Sequence, residues 1–109
     1  MYQGTTPTIP LTFKGVDLSS AKIYLTFEDE KTKSQMNFTS GTDFTVEYDS
    51  EIGDTTGTLR LTQEQTLKLN PGNIAVQARY IFPDGNAGAT IKTKAKINPV
   101  LLKGVISYG

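Results

Sequence analysis

The chain of 109 residues carries 11 basic and 11 acidic side chains, for a formal charge of zero, and contains neither cysteine nor histidine. These figures exclude disulfides and thiolate metal sites, remove the commonest general base and the commonest metal ligand, and give no ground for a charge-driven grip on nucleic acid. With 37% hydrophobic and 20% charged residues, the composition fits one globular domain, and no apolar run approaches the roughly 20 residues of a membrane span.

The segment "QGTTPTIPLTF" (3 to 13) has no cationic and apolar leader. It alternates Ile9, Leu11 and Phe13 on one face, so a strand begins almost at the first residue, and Pro10 confines it to a sheet edge or to the strand's first residues. A turn-rich link, "KGVDLSS", leads to "AKIYLTFE", where Ile23, Leu25 and Phe27 face inward and Lys22, Tyr24, Thr26 and Glu28 outward. The polar stretch 29 to 34 reads as a hairpin tip. "QMNFT" then puts Met36 and Phe38 on the core side, and "DFTVEYD" does the same with Phe44, Val46 and Tyr48. Residues 49 to 57 form a loop of small and acidic residues, followed by "TLRLT" with Leu59 and Leu61 inward.

The alternation breaks once. In "LTQEQTLKLNPG", Thr62 and Gln65 have capping-box spacing, and Asn70, Pro71 and Gly72 close the segment, so one short helical turn spans about 62 to 68. "NIAVQARYIF" places Ile74, Val76, Ala78, Tyr80 and Phe82 on one face, and "PDGN" (83 to 86) is a turn with Pro and Gly where its dihedrals require them. A last long strand, 87 to 98, alternates Ala89, Ile91, Ala95 and Ile97 with Thr90, Lys92, Lys94 and Lys96.

The spacing predicts an all-β, antiparallel, immunoglobulin-like β-sandwich of about seven strands with one short helical turn before the penultimate strand. The cysteine and tryptophan markers of antibody domains are absent, so the likeness is one of architecture. The sandwich should occupy residues 1 to 98, with 99 to 109 as an apolar C-terminal tail. Its predicted core contains Leu11, Phe13, Ile23, Leu25, Phe27, Leu59, Leu61, Ile74, Val76, Ala78, Tyr80, Ile91 and Ile97.

Chemistry finds little to use. Asp49, Glu51 and Asp54 beside Gly53 are oxygen ligands a calcium ion would accept, but EF-hand spacing is absent and turns recruit Asp and Gly for backbone reasons. Glu28, Asp29 and Glu30 sit at the hairpin tip, and the serines have neither a histidine nor a G-x-S-x-G elbow to activate them. No Gly-containing stretch has phosphate-loop form. The sequence is therefore read as non-enzymatic, with no metal, no cofactor, no nucleic acid and no membrane. Lys92, Lys94 and Lys96 read as an outward stripe that discourages edge-to-edge aggregation.

The tail "NPVLLKGVISYG" is harder to place. Beyond Pro99 the strand should stop, yet Val100, Leu101, Leu102, Val105, Ile106 and Tyr108 remain to be covered. Either the tail folds back on its own sandwich or it docks on another subunit or protein. Lys103 and Gly104 interrupt the run, which suits a bent arm.

Four stretches together, "QGTTPTIPLTF", "VDLSSAKIYLTFE" (16 to 28), "LRLTQEQTLKLNPGNIAVQARYIFPDG" (59 to 85) and "LLKGVI" (101 to 106), resemble small proteins encoded in tail regions of phages and prophages of Gram-positive bacteria. The start also resembles the immunoglobulin-like N-terminal domain of upper baseplate proteins of lactococcal-type siphophages. The chain departs from the pattern at Gln3, where the group often has Arg, and 29 to 57 do not align. The resemblance implies a virion structural protein, made in the bacterial host, whose partners are other tail or baseplate proteins or further copies of itself. It further implies that Thr5, Thr6 and Pro7 belong to an extended arm placed for contacts beyond the sandwich. A polysaccharide-binding sandwich is the other reading; it needs exposed aromatics beside polar groups, and Tyr2, Tyr24 and Tyr108 are the candidates.

Overall fold

A computed structural model describes residues 1 to 90 and 92 to 109; Ile91, expected in the core, lies outside the described residues. The strands are β1 (Thr8–Phe13), β2 (Lys22–Asp29), β3 (Gln35–Thr39), β4 (Thr45–Asp49), β5 (Asp54–Arg60), β6 (Gly72–Ile81), β7 (Ala87–Ala89) and β8 (Thr93–Ile97). One helix, α1 (Gln63–Lys68), separates β5 from β6.

These elements form two antiparallel sheets, one ordered β1-β5-β4 and the other β3-β2-β6, with β7 and β8 both pairing with the far edge of β6. The chain crosses between sheets after β1, after β3 and, through α1, after β5, while β2–β3 and β4–β5 are hairpins. This is an immunoglobulin-like sandwich. Pro10 can be accommodated because, among the described residues, β1 is an edge strand bonded to β5 alone.

The core is built by the alternating positions. Leu11 and Phe13 of β1, Ile23, Leu25 and Phe27 of β2, Leu59 of β5, Leu61, Ile74 and Ala78 of β6 and Ile97 of β8 are all buried, as expected. Val76 and Tyr80, expected with them, are half-buried and pack on the core's edge. Phe38 and Phe44 are buried too, and the Phe38 ring meets Phe27 edge-on at 5.3 Å. Tyr48, expected inward, is exposed because β4 is the outer strand of its sheet.

Residues 54 to 57, expected in the loop, belong to β5, and the turn is confined to residues 50 to 53. Gly57 allows this pairing: a methyl there would press on the Thr45 carbonyl and lie 2.9 Å from Val46 Cγ1. The expected long strand 87 to 98 is instead two pieces on one edge of β6. Tyr80 pairs across from Gly88, and an added methyl at Gly88 would meet the Tyr80 ring at under 3 Å, so the ring covers the glycine. Tyr80 also meets Phe82 edge-on at 5.9 Å. The capping box of α1 forms as the spacing indicated: the Thr62 hydroxyl accepts from the Gln65 N–H and the Gln65 side chain accepts from the Thr62 N–H.

Candidate interaction surfaces

The two chain ends behave differently. At the N-terminus, Met1 to Gln3 run parallel to the end of β8: the Met1 nitrogen donates to the Lys96 carbonyl, Asn98 N–H to Met1, and Gln3 N–H to Asn98, at 2.7 to 2.9 Å. The Gln3 side chain is buried, its amide donating to the Leu69 carbonyl at 2.8 Å. From Gly4, held at φ 70°, the chain crosses to the other sheet. On the way the Thr66 hydroxyl donates to the Thr5 carbonyl and Leu61 N–H donates to Pro7. The side chains of Thr5 and Thr6 point to solvent and Pro7 is half-buried. The threonine-rich opening thus stitches the two sheets together, with the Thr5 hydroxyl donating to the Tyr2 carbonyl at 2.7 Å.

The C-terminal segment has no such anchoring. Leu101 and Tyr108 are fully exposed, Leu102 is 72% exposed, and Val105 and Ile106 are each more than half exposed. Val100 alone is half-buried, near Leu67 and Gly4. The backbone of Ile106 is held by one side chain, the Gln63 amide, which accepts from its N–H at 2.8 Å and donates to its carbonyl at 3.1 Å. Val105 lies over the start of α1 beside Thr6 and Arg60. The radius of gyration, 15.2 Å, exceeds the about 13 Å of a compact domain this long.

A third surface is the outer face of the larger sheet. Tyr24, Thr26 and Glu28 of β2 stand in register with Gln35 and Asn37 of β3 and with Gln77 and Arg79 of β6. Around them lies a shallow depression of about 470 Å³ that Lys92 borders. The Thr26 hydroxyl donates to Asn37 at 2.6 Å, the Gln35 amide to Glu28 at 3.1 Å, and the Gln77 amide to the Thr90 carbonyl at 2.8 Å. Tyr24 is partly exposed, with the Lys22 ammonium 5.6 Å from its ring centre. A period-2 reading records these residues as merely outward; the register is what gathers them. Lys94 and Lys96 continue this face, and Lys94 reaches Glu30 at 3.4 Å.

Two of the acidic side chains at the turn accept from backbone N–H groups. Asp49 accepts from the Glu51 N–H at 3.0 Å and Asp54 from the Gly15 N–H at 2.9 Å. Among the described residues, no group of three or more acidic side chains is arranged to hold a metal ion. Two aspartates elsewhere are held below the ordinary carboxylate range. The Ser19 hydroxyl, with its N–H, bonds Asp17, and the Thr32 N–H leads the bonds to Asp29. Both carboxylates close exposed turns.

No helix among the described residues is long and apolar enough to cross a membrane. No protein-family model matches the chain, and no curated protein matches it.

Proposed function

We propose that this protein is a non-enzymatic structural component of a phage tail or baseplate that acts in the virion through protein–protein contacts, its C-terminal segment being the assembly element. One observation carries this reading: five large apolar side chains within residues 101 to 108 stand exposed, on a segment held by one glutamine. A segment of that composition is covered when it works, and burying it in a partner recovers about 1.5 kcal/mol or more per large side chain before ordering costs. The sequence resemblance and the immunoglobulin-like sandwich support the same reading.

Removing residues 101 to 109 tests it, because the cut keeps the half-buried Val100 beside Gly4. Light scattering and pull-down with neighbouring tail proteins should show association lost while circular dichroism stays that of the full chain. Unchanged association would refute the assembly role.

A second reading is favoured by the polar depression on the larger sheet. There an exposed tyrosine stands beside amides, a carboxylate and a guanidinium, which suits the faces and hydroxyls of a cell-surface polysaccharide. Glycan-array binding that Tyr24→Ala abolishes would support it; an array without signal would remove it.

A further inference from the structure

We infer that the C-terminal segment is exchanged between two copies of the chain, Ile106 of each copy being held by the Gln63 side chain of the other; this rests on the assembly reading above and names the receptor for the tail. The receptor is visible because the chain's own tail sits on it. The Gln63 amide accepts from the Ile106 N–H at 2.8 Å and donates to the Ile106 carbonyl at 3.1 Å. One side chain thereby satisfies both polar groups of one residue, as a neighbouring strand would. Beside it, Val105 lies in a shallow depression with Thr6, Arg60 and Leu61. Because both bonds go to backbone, Gln63 holds an extended segment wherever that segment comes from.

The link that leads to this contact is built to open. Val100 is half-buried, so the movable part is Leu101 to Gly104, whose backbone bends at Leu101, Leu102 and Gly104, the last at φ 89°. Straightening it breaks the two Gln63 bonds and, among the described residues, no strand pairing. The same site on a second copy then restores both bonds, so exchange gives up nothing that the closed chain holds. It also gains a contact. Within one chain Leu101 is fully exposed and Leu102 is 72% exposed. In a reciprocal exchange the two links run in opposite directions between the same two bodies, and they pass each other at the two-fold axis. Leu101 and Leu102 of one copy then meet those of the other and leave water. A second copy is thus the partner that brings both the segment Gln63 already holds and the leucines that cover this chain's own.

The chain has no cysteine, so introduced thiols report without background. Thr6→Cys and Val105→Cys are placed in separate full-length chains, one of them carrying a size tag. The mixture is treated with a bismaleimide whose spacer joins the two thiols in the double variant, within or between chains. A hetero-linked dimer is expected, since neither chain holds both thiols. Direction sharpens the test. Gln63→Ala in the Thr6→Cys chain, which supplies the receptor, should cut that product about fivefold or more, for two lost hydrogen bonds. In the Val105→Cys chain, which supplies the tail, it should not reduce the product. Independently, full-length Leu101→Asp, Leu102→Asp sets carboxylates against each other at the axis and should be monomeric by light scattering where the wild type is dimeric. No hetero-linked dimer, or a Gln63→Ala effect equal in both chains, overturns the inference. So does a wild-type chain that is monomeric at every concentration, or an aspartate variant that dimerises like the wild type. In those cases the tail still serves assembly if capture of neighbouring tail proteins requires residues 101 to 109. Only association indifferent to tail removal defeats both readings.

Discussion

Three polar side chains buried in the sandwich, Gln3, Thr55 and Thr66, each hold a connection in place. Thr55 shows how: its hydroxyl donates to the Val16 carbonyl at 2.7 Å and accepts from the Leu18 N–H at 2.9 Å, fixing the β1–β2 link and seating Leu18 in the core. Thr55→Val keeps the shape and strands both backbone groups, so it should cost about 1 to 3 kcal/mol in denaturant unfolding. Thr55→Ser should lose less. At the surface the carboxylates of Asp17 and Asp29 are the pH-sensitive groups. Their pKa values are depressed by hydrogen bonds in the folded state. What they contribute to stability is therefore present above the unfolded aspartate pKa and lost as pH falls through the folded values. A carboxyl NMR titration should find both protonating below the ordinary aspartate range. Ser19→Ala should raise Asp17 toward that range and leave Asp29 where it is; an unmoved Asp17 would show that another contact holds it.

Among the elements, the difference between β2 and β6 is one of neighbours. Leu25 of β2 is 3% exposed, but Val76 of β6 is half-buried at the core's edge. Leu25→Ala should accordingly cost about 2 to 4 kcal/mol, and Val76→Ala about 1 kcal/mol, in equilibrium unfolding. Equal losses would mean that Val76 is as deeply buried in solution as Leu25. β5 depends on Gly57, between Leu11 of β1 and Val46 of β4. Gly57→Ala should unpair β4, seen as fast amide exchange over 45 to 49. The core strands were legible because alternation is a local property: Ile23, Leu25 and Phe27 declare a face whatever lies opposite. The capping box was legible for the same reason. Start of β5 and burial of Leu18, Leu69 and Gln3 were not, since Gly and Asp signal turns locally, while a single apolar or amide side chain has no period. Of the candidate surfaces, the tail was visible as apolar residues beyond a proline. The polar face around Tyr24 was not, because it exists only once three strands are in register.

For the molecule as a whole, the two ends should make unequal contributions to stability. Residues 1 to 5 tie the end of β8 to α1: three hydrogen bonds to β8 and Asn98, the buried Gln3 amide on Leu69, and the Thr5 carbonyl on Thr66. Residues 101 to 109 reach the sandwich through the Gln63 amide and the contact of Val105 at the start of α1. Deleting 1 to 5 leaves the Leu69 carbonyl without the Gln3 amide and uncovers the end of β8, a loss of several kcal/mol if each unpaired buried polar group costs about 1 to 3 kcal/mol, while the Thr66 hydroxyl keeps the Gln63 carbonyl. A domain of this size shifts its melting temperature by about 4 to 8 °C per kcal/mol, so the N-terminal deletion should melt at least 10 °C lower, on the order of those two figures combined. Deleting 101 to 109 should change the melting temperature of the monomer by no more than a few degrees, since only exposed groups are lost. Dilute differential scanning calorimetry on the two truncations decides the matter. A tail deletion that melts as low as the N-terminal one would mean that Leu102, Ile106 and Tyr108 are buried against their own sandwich in solution. The C-terminal segment would then not be free to contact a partner.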